Sequence, residues 1–254
     1  MRDIAGEAVL LAGAARAILL QIADPGVGAG VARHSDFASD PMRRLRNTLT
    51  YIYVIVYGTA DDRARVTAMV DAAHRSVRGA GPGGGTYDAV DPRLQLWVAA
   101  TLYDTAITVY ETVIGPLPSD DADALYRDYA VLGTALQMPA ELWPEDRAAF
   151  RAYWNSQLAR LRVTDDTRRV ARDLLRPRVI PPWLRASMPL ARLVTAGLLA
   201  PSLRVAFELP WDERRQRHYE RAIRVVGAVY PRLPRSIRHW PMRHYLRTFR
   251  QGRE

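Results

Sequence analysis

Residues 61–77 read DDRARVTAMVDAAHRSV, and their spacing decides the class of fold. Val66, Val70, Ala73, His74 and Val77 recur at steps of three and four, the period of a helix with one apolar stripe. Asp62, Arg63, Arg65, Asp71, Arg75 and Ser76 fall mainly elsewhere, so a helix over this stretch turns the His74 imidazole inward. An inward histidine is a ligand or a hydrogen-bonded core residue, and spacing alone does not choose between them.

The same period continues on both sides. It predicts helices over about 5–23, 41–57, 60–77, 92–113, 120–137, 144–161, 165–175, 182–199, 212–229 and 241–249, with almost no sustained alternation that would mark strands. Asp40 before Pro41, Asp91 before Pro92, and Ser119 with Asp120 and Asp121 are helix-start signals. The expected fold is all-α, a single multi-helix domain. Residues 25–37, PGVGAGVARHSDF, are expected to turn the chain between the first two helices; residues 79–91, GAGPGGGTYDAVD, read as a loop with room for a short hairpin. That glycine run lacks the preceding strand and the Gly-Lys-Ser/Thr ending of a phosphate loop.

On the helix over 41–57, Arg44, Thr48, Ile52 and Ile55 form one line of four- and three-residue steps. A guanidinium and a hydroxyl beside two aliphatics suit the polar end of an apolar pocket. They equally suit a surface arginine lying along the helix, with Thr48 bonded back to the backbone. His34, in RHSDF, is a candidate for a buried anionic group or a helix end; pinning its own loop with Ser35 and Asp36 is the other reading. Tyr87, Asp88 and Asp91 are expected to shape the loop and cap the next helix, and Trp97 to pack in the core.

The chain has 254 residues, 48% of them hydrophobic and 25% charged, which suits a globular domain able to enclose a cofactor. It contains no cysteine, which excludes disulfides, iron–sulfur clusters, thiolate zinc sites and a cysteine nucleophile; without lysine, Schiff-base chemistry is excluded too. No GxSxG, HExxH or EF-hand pattern is present, and Asp120, Asp121 and Asp123 are accounted for by a helix start. The apolar run 8–22 is interrupted by Arg16 and reads as an amphipathic or buried helix, neither a secretion signal nor a membrane span, so a cytoplasmic location is expected.

The formal net charge of +9 is concentrated at the end of the chain: residues 212–254 hold twelve arginines against four acids, a net of +8. The Pro-rich stretch 176–183 is a possible boundary within the chain, and the simplest division is a domain over 1–211 with a basic helical extension over 212–254. Trp240, Tyr245 and Phe249, interleaved with the arginines, suggest contact of that extension with an anionic membrane surface. Nucleic acid is a less favoured partner, and a solvated arginine-rich face is the plain alternative.

Four blocks resemble, in order, the signatures of the rubber oxygenase and mycophenolic acid oxygenase family: residues 28–59 (GAGVARHSDFASDPMRRLRNTLTYIYVIVYGT), 74–79 (HRSVRG), 87–102 (YDAVDPRLQLWVAATL) and 198–211 (LLAPSLRVAFELPW). The resemblance implies an all-helical catalytic domain binding haem b, with His74 of the HxxVRG block as proximal iron ligand. It implies Arg44 and Thr48 of the RxxxT block on the distal side, and His34 among the cofactor-binding residues. It implies an oxygenase that uses dioxygen to cleave a double bond of an isoprenoid or other hydrophobic small molecule. Where some relatives carry a lysine before the matched threonine this chain has Asn47, where many carry a histidine it has Ala99, and no catalytic base is placed. Rubber itself is therefore not the expected substrate. The alternative class is a non-catalytic haem-binding or basic helical module associating with a membrane surface or nucleic acid.

Overall fold

The computed structural model of the chain describes residues 1–34, 41–81, 84–177 and 180–252. Helices follow one another as α1 (Arg2–Ala5), α2 (Ala14–Ala23), α3 (Pro25–His34), α4 (Pro41–Tyr57), α5 (Ala60–His74), α6 (Pro92–Val113), α7 (Ser119–Tyr129), α8 (Val131–Thr134), α9 (Arg147–Arg160), α10 (Asp165–Leu175), α11 (Pro182–Leu198), α12 (Pro201–Ala206), α13 (Glu213–Val229), α14 (Arg235–Arg238) and α15 (Trp240–Arg250). The fold is all-α. The described residues hold one small sheet, the antiparallel pair β1 (Arg78–Ala80) and β2 (Thr86–Asp88), with Gly79 opposite Tyr87.

Local chemistry sets many of these boundaries. Thr59 caps α5 in a reciprocal capping box with Asp62, and Asp91 caps α6 by accepting from the Arg93 amide, with Pro92 at the first helical position. Asp146 and Asp212 cap α9 and α13 in the same way. Asp40 and the pair Ser35–Asp36, expected as a cap and as loop-pinning partners, lie outside the described residues.

The glycine-rich segment after residue 25 is helical and not a turn, which corrects the sequence expectation. The turn is confined to Asp24, whose carboxylate accepts from the amides of Gly26 and Val27, and the chain bends by 108° there. The glycines admit close packing: a Cβ on Gly28 would lie 2.4 Å from the Ile22 carbonyl oxygen and 2.7 Å from Thr167 of α10. Tertiary contact thus outweighs the poor helix propensity of glycine. The first expected helix is divided as well, into α1, a 3-10 segment Ala8–Gly13 and α2, and the helix expected over 120–137 ends at Tyr129 and resumes as α8.

The core centres on α2, α4 and α6, where Leu19, Ile22, Val54, Ile55, Trp97 and Ala100 are almost fully enclosed. α5 packs along α4, α15 packs on α4 and meets α5 where Arg250 pairs with Asp62, and α13 lies on α6 and α11. The residues after 211 are therefore held against the core, and His239 among them is only 4% exposed. His239 and Arg238 close onto Glu7 beside α1, and Tyr230 donates to the same carboxylate at 2.7 Å. Among the described residues no single helix is long and apolar enough to cross a membrane.

Candidate functional site

α4 and α5 are joined by Gly58 and Thr59 alone, so α5 folds back along α4. Arg44 lies 13 residues before the end of α4 at Tyr57, and His74 lies 14 residues after the start of α5 at Ala60. Nearly equal distances from a tight turn bring the two side chains level. Their electrostatic coupling agrees: His74 is held below the ordinary imidazole pKa first by burial and then by the positive charge of Arg44, while Asp71 pulls it upward. Burial also lowers the pKa of the Arg44 guanidinium.

His74 is half-buried, and its Nδ1 is fully enclosed without a hydrogen-bond partner. A buried ring nitrogen without a hydrogen-bond partner is costly in an ordinary core, so the His74 imidazole is open to a partner that the protein itself does not supply. The inward stripe of α5 comprises Val66, Thr67, Val70 and His74; Val77, expected on it, lies beyond the end of the helix, and Ala73 is exposed. Among the described residues no group of three or more His, Asp or Glu side chains is gathered as a cation site. One axial imidazole is the donor set of a metal already held by a macrocycle.

Thr48, one turn after Arg44, faces a cavity of ≈90 Å³ enclosed by α1, α2, α4, α6, α7 and the 3-10 segment. Its walls are mainly aliphatic, including Leu10, Ile18, Leu49, Ile52, Leu102 and Ala106. The polar wall groups are few. Gln21 donates to Thr101 at 3.1 Å, and Thr105 Oγ1 accepts from Arg16 at 2.7 Å. Arg16 also pairs with Asp104 at 2.7 Å and donates to the Leu198 carbonyl at 2.8 Å. Burial raises the Asp104 carboxyl pKa, against the opposing pull of Arg16. The phenols of Tyr53 and Tyr129 in the same wall are pushed up by burial and remain protonated. Neither Arg44 nor His74 lines this cavity.

His34 is not brought to this centre by any described contact. It stands exposed at the end of α3, its Nε2 3.0 Å from Tyr87 Oη, with Arg33 over the same ring. This joins α3 to the hairpin that follows His74 and Val77. Asn47 is exposed, and Ala99 is buried near Gly133 of α8. Asp71 was not singled out from the sequence, although its position one turn before His74 was available as a signal. Gln137 donates to its Oδ1 at 2.6 Å and is itself tied to Gln95, at the start of α6. A separate open hollow at the start of α13, bordered by Trp211, Glu213, Gln216, Arg217 and Glu220, has side chains already paired with one another.

The profile of one protein family matches residues 1–228, and the chain belongs to that family, the ER-bound oxygenase mpaB/B'/rubber oxygenase catalytic domain. It is an oxygenase family, in agreement with the resemblance carried by the four sequence blocks. The chain is also similar to the uncharacterized protein Rv2237 of Mycobacterium tuberculosis and the uncharacterized protein Mb2261 of Mycobacterium bovis. Each is 39% identical over 214 residues, which span 82% of this chain and 84% of the relative. No solved structure matches the chain.

Proposed function

We propose that this protein is a haem b-dependent oxygenase acting on a hydrophobic small molecule, with an isoprenoid or lipid-like double bond as the group attacked and dioxygen as co-substrate. The observation that carries the reading is the buried, unpartnered Nδ1 of His74, level with Arg44, in a chain of an oxygenase family. Haem, when bound, supplies the iron that activates dioxygen.

The chain's own residues do the rest. His74, with its pKa lowered, offers a neutral ring nitrogen at pH values where a free imidazole begins to protonate. Arg44 supplies a fixed positive charge in a poorly solvated place, suited to a haem carboxylate or to negative charge that develops near the reacting centre. Thr48 presents a hydroxyl where the cavity wall comes one turn from Arg44, and the aliphatic walls exclude water and take a slim hydrocarbon segment. Tyr53 and Tyr129, kept protonated, can donate to a single polar atom on such a chain.

The test is an absorption spectrum of purified protein supplied with haem, before and after dithionite and carbon monoxide. A Soret band at one haem per chain that shifts on reduction and on carbon monoxide binding is the expected result. A protein that stays colourless and takes up no haem overturns the reading.

A further inference from the structure

We infer that the outer face of α13, together with the exposed Ile237 and Trp240 that follow it in the chain, is a docking surface for an anionic lipid bilayer. The inner face of α13 fixes its orientation: Tyr219, Val226 and the following Tyr230 pack with Val113 and Leu198 of the core. Arg214, His218, Arg221, Val225 and Val229 follow at steps of four and three on the opposite face, and all five are exposed. Arg217 and Arg224 flank them. This stripe is roughly 22 Å long at the rise of an α-helix.

Two independent features separate it from an ordinary solvated face. The first is apolar exposure. Seven large hydrophobic side chains are prominently exposed among the described residues, and four of them, Val225, Val229, Ile237 and Trp240, fall after residue 211. Single exposed aliphatics are common, but this gathering in a short part of the chain is not what scattering gives. The second is unneutralised charge. Arg214, Arg221 and Arg224 form no ion pair among the described residues, in a segment whose net charge is +8. Trp240 stacks on His244 with ring centroids 5.1 Å apart and keeps one side open, as an aromatic at a headgroup boundary does.

The residues differ from those the sequence suggested. Phe249 is 1% exposed and Tyr245 is half-buried against Tyr53 of α4, so neither reaches a lipid surface. Among polyanions, the interleaved valines favour a bilayer over nucleic acid, because they gain by leaving water in a headgroup layer and meet nothing apolar on a phosphate backbone. The inference does not depend on the oxygenase reading.

The experiment uses the full-length chain and sedimentation with two kinds of vesicle, phosphatidylcholine alone and phosphatidylcholine with about one-third phosphatidylserine, beside a short DNA duplex at matched phosphate. Each arginine near an anionic surface contributes about five-fold in partitioning, so Arg214→Gln, Arg221→Gln and Arg224→Gln together lower binding to the phosphatidylserine vesicles roughly 100-fold. Val225→Ser, Val229→Ser and Trp240→Ser together lower it at least about ten-fold while leaving any DNA binding unchanged. All six positions are exposed, and circular dichroism checks that the variants fold. The inference is overturned if the wild type does not sediment with phosphatidylserine vesicles or if the arginine variant binds them equally. It is also overturned if the serine variant keeps full vesicle binding, which would make the face a general polyanion site.

Discussion

Replacing Glu7 by Ala tests how the end of the chain governs the cavity at its beginning. The Glu7 carboxylate is 4% exposed and accepts from Tyr230 Oη at 2.7 Å, Arg238 Nη1 at 2.8 Å and His239 Nε2 at 3.2 Å. Removing it strands three donors in a place with little water, and breaking a buried pair of this kind costs about 3–5 kcal/mol. For a chain of this length each kcal/mol moves the midpoint of thermal unfolding by about 2–4 °C, so a loss on the order of 10 °C is expected. Glu7→Gln keeps an acceptor and loses only the charge, and its loss should be smaller. Ala5 and Leu10, on either side of Glu7, line the cavity beside Thr48, so the damage should extend to it. The assay is thermal unfolding by circular dichroism together with brief trypsin digestion, since Arg243 and Arg247 become cleavable once α14 and α15 detach. An Ala variant within about 1 kcal/mol of the wild type, with an unchanged digestion pattern, would refute the reasoning.

The remaining expectations concern the same contacts and the candidate site. Gly6→Ala should destabilise by roughly 1–3 kcal/mol in urea unfolding, because a Cβ there would sit 2.8 Å from both His239 Nδ1 and Tyr57 Oη. Arg44→Met should raise the pKa of His74, read from its ring-proton shift in an NMR titration, since a positive charge that opposes protonation is removed; an unchanged titration would show that the two groups are not coupled. His74 has its folded pKa depressed below the unfolded value, so the unfolded chain binds more protons, and stability is full above the ordinary imidazole pKa and falls as pH drops through it. His74→Leu should remove that part of the slope in denaturation curves taken between about pH 7 and 5.

Much of this was legible from local spacing, and the exceptions share a cause. The inward setting of His74 follows from its helical spacing, and the level placement of Arg44 from two helices of 17 and 15 residues joined by a two-residue link. The caps at Asp91 and Asp212 are written in single residues. α3 was missed because glycine argues locally against a helix, and its reason, close approach to Ile22 and Thr167, becomes visible only when α10 is in place. The burial of His239 was not legible because arginines surround it in sequence, while its partner Glu7 lies 232 residues away. Phe249 and Tyr245 were misplaced for a related reason: Met242, Tyr245, Leu246 and Phe249 do keep helical spacing toward the core, and the arginines between them obscured it. The Thr48 cavity needed five helices and a 3-10 segment together, which no single stretch encodes.

The most direct test of the central claim is haem uptake by three purified proteins, the wild type, His74→Ala and His34→Ala, each titrated with haem and followed in the Soret region. The account predicts one haem per chain in the wild type and in His34→Ala with the same ferrous carbon monoxide spectrum. In His74→Ala it predicts a lost or strongly weakened complex that imidazole restores. Full, spectrally unchanged haem binding by His74→Ala, with loss in His34→Ala, would contradict it.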